Sequence, residues 1–189
     1  MKKIILPVAA LAFVAVVAVG AVQYQKAKKD HSSTLQFLVE EKSVGQLSKE
    51  ANKVVIAIVD NVMPSHLTSE KVNGSNMIYT DVVLSVQETI KGSNTSKVTI
   101  RLPGGTVGEG KQKRSILAED IPVFIVGEQV IVFLGKGTDG LFPLPDGEYY
   151  SVYGGFQGAY SIQNDKAVNP KATIEVDQLI GEIKFTVNN

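Results

Sequence analysis

The chain has 189 residues, of which 44% are apolar and 20% charged, and its 19 basic and 19 acidic side chains give a formal net charge of zero. This length suits one domain with a sizeable core, and the balanced composition excludes a disordered chain or a fibrous repeat. A nearly neutral chain lacks the concentrated basic face that nucleic-acid binding needs, and the absence of cysteine excludes disulfides, thiolate nucleophiles and zinc–thiolate sites.

The first predicted element is an apolar helix near the amino terminus. Residues 4–22 follow two lysines and contain no charged side chain, and as a helix they would span about 28 Å, close to the roughly 30 Å of a hydrocarbon core. An aromatic residue follows at the position of an interfacial anchor. We therefore predict a retained membrane anchor within residues 1–30. Its representative positions are Ile4, Leu6, Leu11, Phe13, Val22 and Tyr24.

A cleaved signal peptide is the alternative for this segment. Ala18 and Gly20 place small residues at the −3 and −1 positions of a cut before Ala21. The apolar run is longer than the roughly 7–15 residues typical of a signal peptide, which favours the anchor. Both alternatives export the body, so we predict a single-pass membrane protein with its body outside the cytoplasm, or a secreted protein if the segment is cleaved.

Residues 31–46 are polar apart from a short apolar cluster, Leu35 and residues 37–39, and predict a linker; the body then extends over residues 47–189. Ser43 is the predicted N-cap of a short helix that places Leu47 on its apolar face.

Alternation and β-branched composition predict strands over residues 54–62, 78–88 and 97–102, and a continuous apolar run predicts a strand buried on both faces over residues 129–134. Turn signals separate shorter predicted strands at residues 141–144, 149–153, 158–162 and 166–168.

The carboxyl-terminal stretch changes to a helical period. Thr173 is its predicted N-cap, and the apolar stripe consists of Val176, Leu179, Ile180 and Ile183. The predicted fold is therefore mostly β: a small OB-like barrel or sandwich with a short N-terminal helix and a C-terminal amphipathic helix, preceded by one transmembrane helix.

Motifs for catalysis and metal binding are weak. Residues 105–111 fit the spacing G-x-x-x-x-G-K, but Gln112 replaces the hydroxyl residue that a phosphate-binding loop uses to hold magnesium, so a glycine-rich turn is predicted. The two histidines, His31 and His66, lie far apart in the sequence, and no G-x-S-x-G is present. We predict no metal site and no cofactor. A hydrolase with an unmarked carboxylate pair or Ser/Lys site stays an alternative, because such residues leave no signature.

The densest unusual feature is aromatic. Five aromatic residues threaded by glycines occur within twelve positions: Tyr149, Tyr150, Tyr153, Phe156 and Tyr160. Such residues often fill a barrel, but strand alternation sends neighbouring side chains to opposite faces, so at least one is expected to point outward. The functional hypothesis is an aromatic platform for a protein, peptide or glycan partner.

The order of the segments resembles a known group. A short helix, VVIAIVDNV, IYTDVVLSVQETIKG, VTIRLPGG, GEQVIVFL and a later glycine-aromatic stretch are similar to small uncharacterised extracytoplasmic domains of bacteria, chiefly Gram-positive ones. The resemblance covers about residues 47–183 and implies an OB-like barrel with no functional residues to carry over. The pattern also resembles, more distantly, the N-terminal barrel of tissue inhibitors of metalloproteinases, but this chain lacks the cysteines through which those inhibitors act.

Together these patterns predict a membrane-anchored module of the cell envelope that binds a partner, with no nucleic acid involved. A small extracytoplasmic hydrolase and a protease-inhibitor-like barrel are the alternatives.

Overall fold

The computed structural model describes residues 31–36, 40–72, 75–136 and 149–189. The helices within these ranges are α1 (Val44–Glu50) and α2 (Val176–Asn188). The strands are β1 (His31–Leu35), β2 (Lys53–Val62), β3 (His66–Val72), β4 (Ser75–Lys91), β5 (Lys97–Pro103), β6 (Gly105–Val107), β7 (Arg114–Ala118), β8 (Gln129–Lys136), β9 (Tyr150–Val152), β10 (Ala159–Gln163), β11 (Lys166–Val168) and β12 (Thr173–Glu175).

Five of these strands close into a barrel. β2 pairs antiparallel with both β4 and β8, β4 pairs with β5, and β8 pairs with β9. A parallel contact between Ile100 of β5 and Tyr150 of β9 completes the ring. The prediction of a mostly β barrel with two helices, one of them C-terminal, is therefore confirmed.

The barrel interior is apolar because alternate side chains of each strand point inward. The buried residues of this inner cluster are Val55, Ala57, Val59, Val82, Leu84, Val98, Ile100, Leu102, Phe124, Val130, Val132, Leu134 and Ala159.

A second apolar cluster lies on the outer side of the barrel wall. The side chains of β8 that point away from the interior, Ile131 and Phe133, meet both helices here. β10, β11 and β12 extend the sheet from β8 as an antiparallel meander beneath the helices. β8 is thus buried on both faces, as its continuous apolar run predicts.

Helix α1 begins and ends with side-chain caps. The Gln46 backbone N–H donates to Ser43 Oγ at 3.2 Å, and the Ser43 N–H donates to the Gln46 side chain at 2.9 Å, a reciprocal capping box. At the other end, Lys91 Nζ donates to the carbonyls of Ser48 and Lys49 at 2.8 and 2.7 Å. The predicted N-cap is confirmed, and the cap at the C-terminus ties the helix to β4.

Helix α2 packs through its predicted stripe, with Leu179 and Ile183 fully buried. The prediction that Thr173 is the N-cap is wrong. Residues 173–175 instead form β12, where Thr173 pairs with Val168, and the helix begins at Val176 without a side-chain cap. The first N–H of the helix, that of Val176, donates to the Asp165 carbonyl at 2.9 Å in place of a side-chain cap.

A three-stranded sheet, in the order β1–β7–β6, lies at one end of the barrel. β6 and β7 form an antiparallel hairpin, and β1 pairs parallel with β7 from His31 opposite Arg114 to Leu35 opposite Ala118. The predicted linker of residues 31–46 therefore contains a strand. The glycine-rich stretch of residues 105–111, which was predicted to be a turn, forms the strand β6 and then the loop that leads to β7.

The buried Gln157 side chain holds the linker at a second point. Its amide donates to the Glu40 carbonyl at 2.9 Å and its oxygen accepts from the Lys42 N–H at 3.0 Å. The neighbouring Lys42 ammonium lies 2.7 Å from Glu50, and this hydrogen bond raises the pKa of Lys42 and lowers that of Glu50. In the part of the chain that is described, the linker is docked on the barrel.

Candidate functional site

An apolar pocket of about 420 Å³ lies at one end of the barrel. Its walls come from the ends of the barrel strands, the β6–β7 hairpin and the segment before β8. The lining consists of Val62, Thr80 and Val82 with residues 102–106, 115–118 and 121–124. Among these described lining residues none is titratable, so the pocket offers apolar contact and a few hydroxyls.

The hydroxyls at the pocket form one hydrogen-bonded chain. The Thr106 N–H donates to Ser65 Oγ at 3.2 Å, Ser65 and Thr80 are joined at 2.8 Å, and Thr80 Oγ1 donates to the Gly104 carbonyl at 2.9 Å. Because the Thr80 proton goes to that carbonyl, Ser65 must be the donor to Thr80. Both hydroxyl protons are engaged, which fits a structural role better than that of a nucleophile.

This chain of bonds needs glycine at the corner between β5 and β6. Gly104 and Gly105 have φ values of 98° and 128°, a region that other residues rarely adopt. A Cβ on Gly104 would lie 2.9 Å from the Ile116 carbonyl oxygen, and one on Gly105 would overlap the Ser65 hydroxyl. The two glycines therefore let the hairpin fold closely over the barrel end and form the pocket wall.

The rim of the pocket is unusually apolar for a surface. We define the apolar rim as Leu117, Val123, Ile125 and Val126, which are 63%, 85%, 65% and 58% exposed. Phe124, between them, is buried in the barrel interior and anchors the segment. Clustered exposed apolar side chains beside a pocket are typical of interaction surfaces.

Backbone hydrogen bonds hold the rim segment in place. The Gly127 N–H donates to the Val59 carbonyl at 2.8 Å, and the Val59 N–H donates to the Glu128 carbonyl at 2.9 Å. Glu128 also accepts from the Ile125 N–H through its side chain at 3.3 Å. The rim residues Val123, Ile125 and Val126 thus lie on a segment joined to β2, and Leu117 lies on β7.

Two of the five predicted ligand-binding aromatics lie on opposite sides of the barrel wall. Tyr150 packs against the inner cluster, whereas the Tyr149 ring lies 3.6 Å from the guanidinium carbon of Arg101 on the outer side. Arg101 is only 6% exposed and makes two 2.7 Å hydrogen bonds to Asp81, which raise its pKa. Tyr149 thus covers a buried ion pair.

Of the other three aromatics, two lie at the helix-bearing face and the third contacts a lysine. Tyr153 and the buried Tyr160 pack in the outer cluster, and the Tyr153 hydroxyl donates to Glu50 at 2.5 Å. The Lys171 ammonium lies 5.6 Å from the Phe156 ring centroid. The structure therefore distributes the five rings over separate environments, none of them at the apolar pocket, and their role in ligand binding stays a prediction.

Sequence reasoning missed the apolar rim. The signal was present as an apolar run over residues 121–126 that contains Pro122. Proline argues against a central strand and the run is too short for a core helix, so apolar side chains there have no regular element to bury them.

The described ranges contain no group of three histidine or carboxylate side chains placed to hold a metal ion. The predicted anchor, residues 1–30, and the predicted strand at residues 141–144 lie outside the described residues. Neither helix of the described chain is long and apolar enough to cross a membrane.

No protein-family model matches the chain, and no curated protein matches it.

Proposed function

We propose that this chain is a binding or accessory module of the cell envelope, held at the membrane by residues 4–22, and that the barrel-end pocket is its ligand site. The observation that carries the proposal is the pairing of an apolar pocket free of titratable lining residues with the apolar rim. Such a site recognises shape and apolar surface, and its ligand is an apolar segment of a partner protein.

Covering the apolar rim with a bound ligand is favourable in free energy. Covering a fully exposed aliphatic side chain is worth about 1.5–3 kcal/mol, and the four residues of the apolar rim are each more than half exposed. The rim segment is already fixed by hydrogen bonds to β2, so little ordering entropy opposes binding.

The envelope location is supported by the uncharged run of residues 4–22 after two lysines, which is an export signal whether it is retained or cleaved. OB-like closure is supported by the ring of five strands, in which the last strand is joined antiparallel to one neighbour and parallel to the other. Small barrels of that kind are widely used as binding scaffolds.

The test replaces the two most exposed rim residues together, Val123→Ser with Ile125→Ser, in the full chain. Binding of the apolar dye 1-anilinonaphthalene-8-sulfonate is titrated by fluorescence, and envelope proteins are captured by crosslinking. We expect the dye affinity to fall at least about tenfold and crosslinked partners to disappear, while the melting temperature stays nearly constant because both side chains are exposed.

Phe185→Ser is the matched control, since Phe185 is 72% exposed on α2 and does not line the pocket. It should leave dye binding and crosslinking unchanged. Equal loss in the control and the double variant, or no loss in the double variant, would remove the pocket from the proposal.

A further inference from the structure

We infer that the outer edge of β7 is an acceptor site for an extended peptide segment of a partner protein, and that the chain's own β1 occupies this edge in the absence of the partner. The inference rests on the proposed binding function and names the ligand class: a segment that adds to the sheet as a strand parallel to β7, with acidic residues followed by alternating apolar ones.

The first observation is that β1 is held almost entirely through its backbone. It pairs with β7 over five residues, and the Leu35 carbonyl accepts a further bond from the Glu119 N–H at 2.8 Å. Ser32, Ser33 and Thr34 are exposed, and no side-chain hydrogen bond joins residues 32–35 to the rest of the described chain. Backbone pairing of this kind does not depend on the side chains of the added strand, so another segment can replace β1.

The second observation is a mismatch between β1 and the surface beside it. Thr34 is the register partner of Leu117, yet Leu117 remains 63% exposed. A strand with a larger apolar residue at the Thr34 position would cover Leu117, and its neighbours would lie beside the pocket that residues 115–118 line. The edge therefore fits a more apolar strand than the one it holds.

The third observation is charge at the beginning of β7. Lys111, Lys113 and Arg114 are exposed and form no ion pair with another described residue. Because the added strand runs parallel to β7, its amino-terminal end lies beside these cations and its carboxyl-terminal end beside Ala118. Acidic residues at the start of the segment complement the cations, which fixes the direction and register of binding.

Because β1 occupies the edge of β7, a partner segment must compete with β1 for this site. β1 is part of the same chain and so competes at a high effective concentration. A segment as polar as β1 cannot displace it, whereas a segment that also buries Leu117 can. Selectivity then comes from the apolar positions of the partner, and affinity from the backbone hydrogen bonds.

The experiment locks β1 in place through a disulfide. The chain has no cysteine, and Ser32 and Ser115 are register partners on neighbouring strands, which lie about 4.8 Å apart, within the range that a disulfide spans. The full chain carrying Ser32→Cys and Ser115→Cys is titrated, oxidised and reduced, with a fluorescent synthetic peptide in which aspartates precede alternating valine and threonine. A scrambled peptide and one N-methylated at alternate residues serve as controls.

We expect the oxidised variant to bind the peptide at least about tenfold more weakly than the same variant after reduction, and we expect both control peptides to bind the reduced variant at least about tenfold more weakly than the test peptide does. Leu117→Ser should also weaken binding, and charge reversal at Lys113 should weaken it in a salt-dependent way.

Four results would each overturn the inference: failure of the disulfide to form, equal peptide binding in both redox states, equal binding of the N-methylated peptide, or binding of phosphatidylglycerol vesicles in place of peptide. These are separable from failure of the proposed function. If the Val123 and Ile125 double variant loses dye binding while locking β1 has no effect on the peptide, the pocket keeps its role and only strand acceptance is rejected.

Discussion

Arg101 shows how one residue constrains its neighbours on the outer surface of this barrel. It projects from the outer side of β5 yet is nearly buried, between the Asp81 carboxylate and the Tyr149 ring. Removing one partner of such a pair leaves a buried charge uncompensated, so the identities of its neighbours are constrained by stability. Tyr149, which sequence alone assigns to a binding platform, has this structural contact.

The neighbouring tyrosines should differ in their contribution to stability. Tyr150→Ala removes a ring from the inner cluster and should lower the free energy of unfolding by about 2–4 kcal/mol. Tyr149→Ala removes a cation–π contact and should lower it by about 0.5–2 kcal/mol. Urea denaturation measures both values, and the reverse order would contradict this assignment of the two rings. The same variants test the predicted aromatic platform, which requires Tyr149→Ala to weaken partner capture.

Tyr79 predicts a loss of stability in alkali. It is fully buried, and burial raises its pKa to about 12. Between pH 10 and about 12 the Tyr79 hydroxyl ionises in the unfolded chain but stays neutral in the folded one. The stabilising contribution of Tyr79 is therefore complete below pH 10. Above pH 10 the free energy of unfolding falls by about 1 kcal/mol per pH unit.

The matched variant for this test is Tyr79→Phe, which keeps the ring and removes the titrating group. Its unfolding free energy should fall less steeply than that of the wild-type chain in this range. Burial also raises the pKa of Tyr160, so a smaller decline should remain in the variant. Parallel curves for the two proteins would show that Tyr79 ionises equally in both states.

At the scale of elements, α2 offers a direct comparison of buried and exposed positions. Leu179 is fully buried against the outer cluster and Phe185 is 72% exposed on the same helix. Leu179→Ala should lower the free energy of unfolding by about 2–5 kcal/mol, and Phe185→Ala should change it by less than about 0.5 kcal/mol. Chemical denaturation measures the free energy of unfolding of both variants, provided that its dependence on denaturant concentration is the same in both. Similar small effects of the two substitutions would mean that α2 does not pack on the barrel.

The elements that could be predicted from sequence are those whose own side chains determine them. Alternating or continuous apolar residues mark β2, β4, β5 and β8, and an apolar stripe with a helical period marks α2. The sequence of each of these elements therefore shows which of its side chains are buried. β1 is polar and owes its strand conformation to pairing with β7, a contact between residues more than seventy positions apart. No local pattern can report such pairing.

The candidate site could not be predicted from the sequence for a related reason. The pocket forms where the β5–β6 corner, β7 and the segment before β8 meet over the barrel end, so its existence depends on tertiary arrangement. The aromatic residues are dense in the sequence, but in the structure their rings contact other residues of the same chain. The apolar rim comes from a run with no secondary-structure period, and only its exposure distinguishes it from core.

For the whole molecule, the proposed location has a simple test. Protease added to intact cells or spheroplasts should degrade the body, residues 47–189, because the export signal proposed at residues 4–22 places it outside the cytoplasm. Recovery of the protein from the medium would indicate cleavage of the amino-terminal segment. Complete protection until lysis would contradict an external body.

The docked linker also has a mechanical consequence. A pulling force on the amino-terminal end of the chain reaches the barrel through β1, and along the strand axis it loads all the hydrogen bonds to β7 together in shear. When that ladder ruptures, the five residues of β1 leave β7, while the bonds from Gln157 to Glu40 and Lys42 still hold the next part of the linker. Force spectroscopy should record this rupture as a separate event before the barrel unfolds. The same rupture bares the edge of β7, so tension on the proposed membrane tether would favour the proposed strand acceptance.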